Sequence, residues 1–95
     1  METLAKRFYV FGRVQGVGFR FFVEGRAARL GVGGYVKNRF DGAVEVYAIG
    51  SAEQLDVLRD ALQRGPRTAA VDRVEEHDEE ILPKYANGFY IEHDD

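Results

Sequence analysis

Several short stretches of this chain have apolar and polar patterns that predict β-strands. Arg7 to Val14 is rich in β-branched and aromatic residues and has apolar side chains on both faces, as in a central strand. Gly34 to Phe40 and Ala43 to Ile49 form two further strands. Asp41-Gly42 between them is a strong signal for a hairpin turn.

The last three predicted strands differ in how their polar residues are arranged and in the turns that bound them. In the Ala43 to Ile49 strand, Glu45 and Tyr47 alternate with small apolar residues, which predicts that only one face is covered. Val71 to His77 is a fourth strand, and Phe89 to Ile91 is a short fifth strand that follows turn signals. The chain therefore contains four or five strands.

Two segments repeat their apolar residues every three or four positions, as α-helices do. The first runs from Arg20 to Leu30 and is followed by Gly31, a typical residue after a helix. The second follows Ser51 and ends at Gly65-Pro66, with a capping-box pattern at its start. The residues predicted to form the two buried stripes are Val23, Ala27, Leu30, Leu55, Leu58 and Leu62. Gly25 inside the first helix is unfavourable, and close packing against the sheet would explain its presence.

The order of these elements is βαββαβ. This order, with both helices on one face of a mainly antiparallel sheet, predicts an α+β ferredoxin-like split βαβ sandwich. The first helix returns the chain, so the first two strands run in the same direction. The first strand's end, the first helix's start and the second strand's end therefore share one sheet edge. Arg20 and Asn38 are predicted to meet there.

Composition indicates one packed domain, residues 1–95. The chain has 95 residues, 45% of them hydrophobic and 13% aromatic, which is enough for one modest core and too little for two. The absence of cysteine excludes a disulfide framework and a thiolate nucleophile, and it permits a reducing compartment. No apolar run reaches membrane-spanning length, and the first seven residues are too polar for a signal peptide. We therefore expect a cytoplasmic monomer without membrane contacts.

The loop between the first strand and the first helix carries candidate chemistry. Gly16 and Gly18 allow it to curl with its N–H groups facing one point. The amino terminus of the helix adds partial positive charge, and Arg20 offers a planar fork that matches two oxygens of a phosphoryl group. From these residues alone, two interpretations stay open: a small anion site, or a tight turn followed by a solvated arginine.

Charge distribution gives the anion site modest support. The net charge is -3, but residues 1–47 carry eight Lys/Arg and four Asp/Glu, whereas residues 48–95 carry five and twelve. The loop thus lies in the basic half of the sequence, which would attract a phosphorylated substrate.

Two blocks of sequence resemble the signatures of the acylphosphatases, small enzymes that hydrolyse the mixed anhydride of a carboxylic acid and phosphate. The first is Gly-Arg-Val-Gln-Gly-Val-Gly-Phe-Arg, residues 12–20, and the second is Gly-Tyr-Val-Lys-Asn, residues 34–38, followed by Asp41-Gly42. The resemblance extends over nearly the whole chain. It departs from the family at Tyr35, where tryptophan is common, at Phe40, and in the acidic ending from Glu92 onward.

The resemblance implies a role for each matched residue. The phosphate cradle would be formed chiefly by the main chain of Gln15, Gly16, Val17, Gly18 and Phe19, with Arg20 as the clamp. Asn38 would orient the attacking water. No metal or other cofactor is implied. The implied substrate is a small acyl phosphate, the implied products are a carboxylate and inorganic phosphate, and no nucleic acid is involved.

The residues that are absent agree with this reaction. Residues 1–76 contain no histidine, and no serine, threonine or cysteine occurs between Ala5 and Gly50, so covalent catalysis is poorly supported. No general acid is evident either. An acyl phosphate needs none, because its leaving carboxylate has a conjugate acid with a pKa of about 4.

Other interpretations compete. Asn38 near a hairpin could serve only the turn. The aromatic and basic stretch after the loop faintly resembles an RNA-recognition motif, but it opens a helix and the pI is near 5.4. A domain that senses an anion without catalysis is another alternative. The acidic run from Asp72 to Glu80 could suggest a metal site, but solvated surface on an edge strand is the simpler interpretation.

Four neighbours of Asn38 are interpreted as structural. Strand alternation turns Lys37 and Arg39 away from Asn38, and we expect both to be solvated. Tyr35 and Phe40 are expected to pack. His93 is expected to be exposed and without a role.

Overall fold

Two α-helices pack on one face of a five-stranded β-sheet in the computed structural model, which describes residues 2–94. The elements in chain order are β1 (Leu4–Arg13), α1 (Phe19–Leu30), β2 (Gly33–Asn38), β3 (Val44–Gly50), α2 (Ala52–Arg64), β4 (Ala70–Glu79), a 3₁₀ turn (Pro83–Tyr85) and β5 (Phe89–Ile91). The predicted α+β ferredoxin-like fold is confirmed, with boundaries that differ by a few residues from those expected.

Strand pairing determines which ends of the elements lie together. The sheet order is β4-β1-β3-β2-β5, and every pairing is antiparallel except β2 with β5. Because β1 and β2 both pair antiparallel with β3, they run in the same direction. The end of β1, the start of α1 and the end of β2 therefore lie at one edge of the sheet, as predicted. We call this the loop edge.

The second helix begins and ends on the predicted signals, whereas α1 ends on its predicted glycine but begins one residue earlier than expected, at Phe19. Gly18, with a φ of 78°, is the N-cap of α1, and Gly31, with a φ of 77°, follows its last residue. Only glycine adopts such φ values without strain. At the start of α2, Ser51 and Gln54 form the predicted capping box. Within the described residues, neither helix is long and apolar enough to cross a membrane.

The main core lies between the sheet and the helices. The predicted stripe of α2 is fully buried, and from α1 Val23 and Ala27 are buried as expected. Leu30 is only partly buried, and Phe19 supplies the third buried residue of α1 instead. The helix thus points its first residue into the core. This packing fixes the direction in which α1 leaves the loop edge.

The opposite face of β3 is also covered, so the prediction of a single covered face is wrong. Every residue of β3 is buried, including Glu45 and Tyr47. The chain after β4 crosses this face: the Tyr47 hydroxyl donates to the Glu80 carbonyl oxygen and accepts from the Leu82 N–H. Tyr85 packs against Tyr47 from the same segment. Glu45 and Tyr47 are polar, but both are buried with hydrogen-bond partners. Their alternation with apolar residues therefore looked like the pattern of a half-exposed strand.

Candidate active site

The loop from Val14 to Gly18 presents unpaired N–H groups at the start of α1. Gly16 and Gly18 have φ values of 74° and 78°, as the predicted curl requires. None of the backbone N–H groups from Gln15 to Arg20 donates a hydrogen bond to any residue in the range 2–94. Backbone N–H groups that lack a protein partner at a helix amino terminus form a favourable place for an anion.

The carbonyl side of the loop is anchored from the segment before β4. The Thr68 hydroxyl donates to the Val17 carbonyl oxygen at 2.7 Å, and the Arg13 guanidinium donates to the Thr68 carbonyl oxygen at 3.1 Å. No sequence signal pointed to Thr68, because its partner lies 51 positions away.

The Gln15 side chain ties the loop to the hairpin that follows β2. Its Nε2 donates to the Arg39 carbonyl oxygen at 2.7 Å and to the Ala43 carbonyl oxygen at 2.9 Å. These two acceptors flank the turn, directly after Asn38. The contact brings the loop and the end of β2 together, in the way that the strand directions predicted. The prediction assigned Gln15 a main-chain role, and its side chain has this additional one.

Asn38 is the last residue of β2 and lies on the helix side of the sheet. Val36, two positions earlier, packs in the core with α1, so strand alternation places Asn38 on the same side. The residue is 8% exposed. Its side-chain amide forms no hydrogen bond with the described residues. Among residues 2–94, Arg7 Nε is the only fully buried side-chain N or O atom without a hydrogen-bond partner, so neither polar atom of Asn38 is fully buried.

Arg20 lies in the first turn of α1 and is one-third exposed. Its Nη1 donates to Asp94 Oδ1 at 3.0 Å. Asp94 reaches the loop edge because β5 runs parallel to β2 and the Glu92 N–H continues that ladder to the Val36 carbonyl oxygen. Sequence reasoning left the docking of the acidic ending open. In the structure a carboxylate of this ending contacts the guanidinium that the phosphoryl group was expected to bind.

A buried carboxylate organises the other side of the hairpin. Glu45 is 4% exposed, accepts from the Tyr35 hydroxyl at 2.5 Å and from Arg39 Nη1 at 3.1 Å, and has Lys37 Nζ at 4.0 Å. Lys37 and Arg39 do point away from Asn38, but the expectation that both are solvated is wrong, because they surround Glu45. Burial, together with the hydrogen bond to Glu45, raises the pKa of Tyr35.

Of the two rings that were expected to pack, only one does. Tyr35 packs against Tyr47 and Tyr85, as expected. Phe40 is 93% exposed at the hairpin tip, so the expectation that it packs is wrong. His93 is exposed.

The acidic β4 is an edge strand, as predicted, and Glu76 forms ion pairs with Lys6 and Arg59. Among residues 2–94, no three or more His, Cys, Asp or Glu side chains form a group that could hold a metal ion.

The fold and the loop edge together define a class of protein: a ferredoxin-like α+β domain. Its loop edge carries loop amides, an arginine and an asparagine, and neither the loop amides nor the asparagine side chain forms a hydrogen bond with the described residues. Comparisons with known proteins identify the family. The acylphosphatase sequence model matches residues 6–91. The acylphosphatase of Mannheimia succiniciproducens is 55% identical over 75 residues, 79% of this chain and 83% of that protein.

Comparison with solved structures gives the same family. Acylphosphatase from Bacillus subtilis aligns with a TM-score of 0.86 and 38% identity, over 93% of this chain and 97% of that chain. An acylphosphatase from Coxiella burnetii aligns with a TM-score of 0.88 and 32% identity, over 95% and 93%. This chain belongs to the acylphosphatase family, and it is therefore an enzyme that hydrolyses acyl phosphates. The resemblance of the two sequence blocks is confirmed.

Proposed function

We propose that the chain hydrolyses acyl phosphates by in-line attack of a water molecule, oriented by Asn38, on a phosphoryl group held by the loop amides and Arg20. The products are a carboxylate and inorganic phosphate. The observation that carries the proposal is the run of unpaired N–H groups from Gln15 to Arg20 at the start of α1. These groups offer fixed positive dipoles where charge develops on the phosphoryl oxygens.

The Arg20 guanidinium completes the cradle once it leaves Asp94. Both side chains are partly exposed, 35% for Arg20 and 53% for Asp94, so their ion pair contributes at most about 1 kcal/mol. A phosphoryl group carries more charge than a carboxylate and can accept two parallel hydrogen bonds from the guanidinium fork. The substrate therefore has the advantage over Asp94 in competition for Arg20.

Asn38 has the properties of a residue that positions water. Its amide has a donor and an acceptor group, forms no hydrogen bond with the described residues, and is not fully buried, although the residue as a whole is only 8% exposed. An amide does not take up a proton at neutral pH, so its contribution is orientation. The reaction suits such a site because the leaving carboxylate needs no protonation.

Several sequence expectations stay predictions: that residues 1–95 form one domain, that the enzyme works as a cytoplasmic monomer, and that neither a metal nor another cofactor takes part. The same holds for the absence of nucleic-acid or membrane partners.

Hydrolysis of benzoyl phosphate with a chelator present tests the proposal. Arg20→Lys should lower kcat/KM about 100-fold, because a point charge cannot replace the bidentate fork. Arg29→Lys, on the exposed last turn of the same helix, is the matched control and should retain full activity. Asn38→Ala should lower kcat while inhibition by phosphate stays nearly unchanged. Near-normal turnover of Arg20→Lys would refute the clamp, and binding of phosphate without any turnover by the unmodified protein would favour an anion sensor.

A further inference from the structure

A groove of about 670 Å³ runs along α1 beside the chain that leads into β5. Its volume is within the range of sites that bind small organic molecules. The lining is mostly small or apolar, with Glu24 and Asn87 as its polar side chains, and six of its residues carry the argument: Phe21, Gly25, Ala28, Gly31, Gly88 and Phe89.

The groove lies along the helix whose first turn carries the proposed phosphoryl site, and Phe21 is its lining residue nearest that turn. Phe21 directly follows Arg20, and Gly25 and Ala28 follow Phe21 at helical spacing, so these residues form a stripe on one side of α1. From Phe21 to Gly31 the helix rises about 15 Å. The groove therefore extends from the loop edge towards the opposite edge of the sheet, between α1 and the β5 side of the molecule.

Two features of α1 shape this groove. Phe21 is 72% exposed and its ring lines the groove. A Cβ atom at Gly25 would meet no atom within 4 Å, so the expected explanation, close packing against the sheet, is wrong for this glycine. A glycine within a helix is unfavourable relative to alanine. Here its effect is to leave the groove unfilled.

We propose that the groove binds the acyl chain of the substrate, so that the enzyme prefers acyl phosphates with extended apolar acyl groups over acetyl phosphate. This rests on the proposed function, because it places the phosphoryl group at the loop edge. A chain that leaves the phosphoryl group towards Phe21 finds apolar surface along the whole stripe. The other exposed ring at this edge, Phe40, stands 93% exposed on a hairpin tip and lines no part of this groove.

Acyl phosphates of increasing chain length test the proposal. For the unmodified enzyme, kcat/KM should rise about twofold or more with each added methylene from acetyl to hexanoyl phosphate. Gly25→Leu fills the groove and should reduce kcat/KM for hexanoyl phosphate about tenfold, with acetyl phosphate hydrolysis unchanged. Phe21→Ala should act in the same direction. Phe40→Ala is the matched control and should leave the chain-length dependence intact.

A binding measurement separates this proposal from the hydrolase proposal. In ¹⁵N–¹H NMR spectra, hexylphosphonate should shift the amide signals of Gly25 and Gly31 in the unmodified protein, and the Gly25→Leu protein should bind it more weakly. Methylphosphonate should shift the loop amides alone. Shifts in the groove without turnover of any acyl phosphate would refute only the hydrolase proposal. A flat chain-length dependence, or one that persists in Gly25→Leu or is lost in Phe40→Ala, would overturn the acyl groove.

Discussion

Gln15→Ala removes the side chain that joins the phosphate loop to the hairpin carrying Asn38. In the structure one amide nitrogen, Gln15 Nε2, makes both contacts, with the Arg39 and Ala43 carbonyl oxygens. If these bonds hold the loop at its distance from Asn38, their loss should alter the alignment of water and phosphoryl group. The predicted phenotype is therefore catalytic as well as structural.

The size of the structural effect follows from the hydrogen bonds that remain. The Arg39 carbonyl oxygen also accepts from the Gly42 N–H, and the Ala43 carbonyl oxygen also accepts from the Arg39 N–H. Neither carbonyl is left without a partner, so no desolvation penalty is added to the loss of the two bonds. At about 0.5 to 1 kcal/mol for each bond, the unfolding free energy should fall by about 1 to 2 kcal/mol.

The catalytic effect should be larger than this loss of stability suggests. A displacement of about 1 Å in the attacking geometry can cost 100-fold, so we expect kcat to fall at least tenfold under conditions where the variant is fully folded. Urea unfolding gives the first quantity and benzoyl phosphate hydrolysis the second. Gln63→Ala, an exposed glutamine on α2, is the control and should change neither. A destabilised Gln15→Ala with normal kcat would refute the positioning role.

Three further predictions concern other contacts. Asp94→Asn removes the competing carboxylate from Arg20 and should tighten inhibition by inorganic phosphate by up to about fivefold, an effect that high salt should abolish. Ser51→Ala removes the hydroxyl of the α2 capping box and should lower the unfolding free energy by about 1 kcal/mol in urea, with activity unchanged. Hydrogen bonds from the Ala43 N–H and from Arg39 lower the pKa of Asp41 in the folded protein. The ionised carboxylate therefore stabilises the fold at pH values above the unfolded-state pKa of about 4. This stabilisation is lost as the pH falls through the lower folded-state pKa. The stability difference between Asp41→Asn and the unmodified protein should therefore shrink below pH 4, whereas a constant difference would contradict this assignment.

Local signals were sufficient for much of the loop edge. Gly16 and Gly18 required positive φ, and the observed values are positive. The common direction of β1 and β2 followed from connectivity, because the helix between them returns the chain. The φ values depend on single residues, and the strand directions depend on how the helices and strands are connected.

The features that sequence reasoning missed depend on long-range partners. Glu45 looked like the polar half of an alternating strand, and only the fold shows it buried among Tyr35, Lys37 and Arg39. Asp94 pairs with Arg20 across 74 positions. Neither contact leaves a periodic pattern in the sequence. The Glu45 contacts depend on the pairing of strands in the sheet, and the Asp94 contact depends on the path of the chain after β5.

Titration of ¹⁵N-labelled protein with inorganic phosphate tests whether the loop amides hold the phosphoryl group. We expect the amide signals from Gln15 to Arg20 to shift with a common dissociation constant equal to the inhibition constant of phosphate, and Arg20→Lys to weaken this binding. Loop amides that do not shift at phosphate concentrations that inhibit hydrolysis would contradict it.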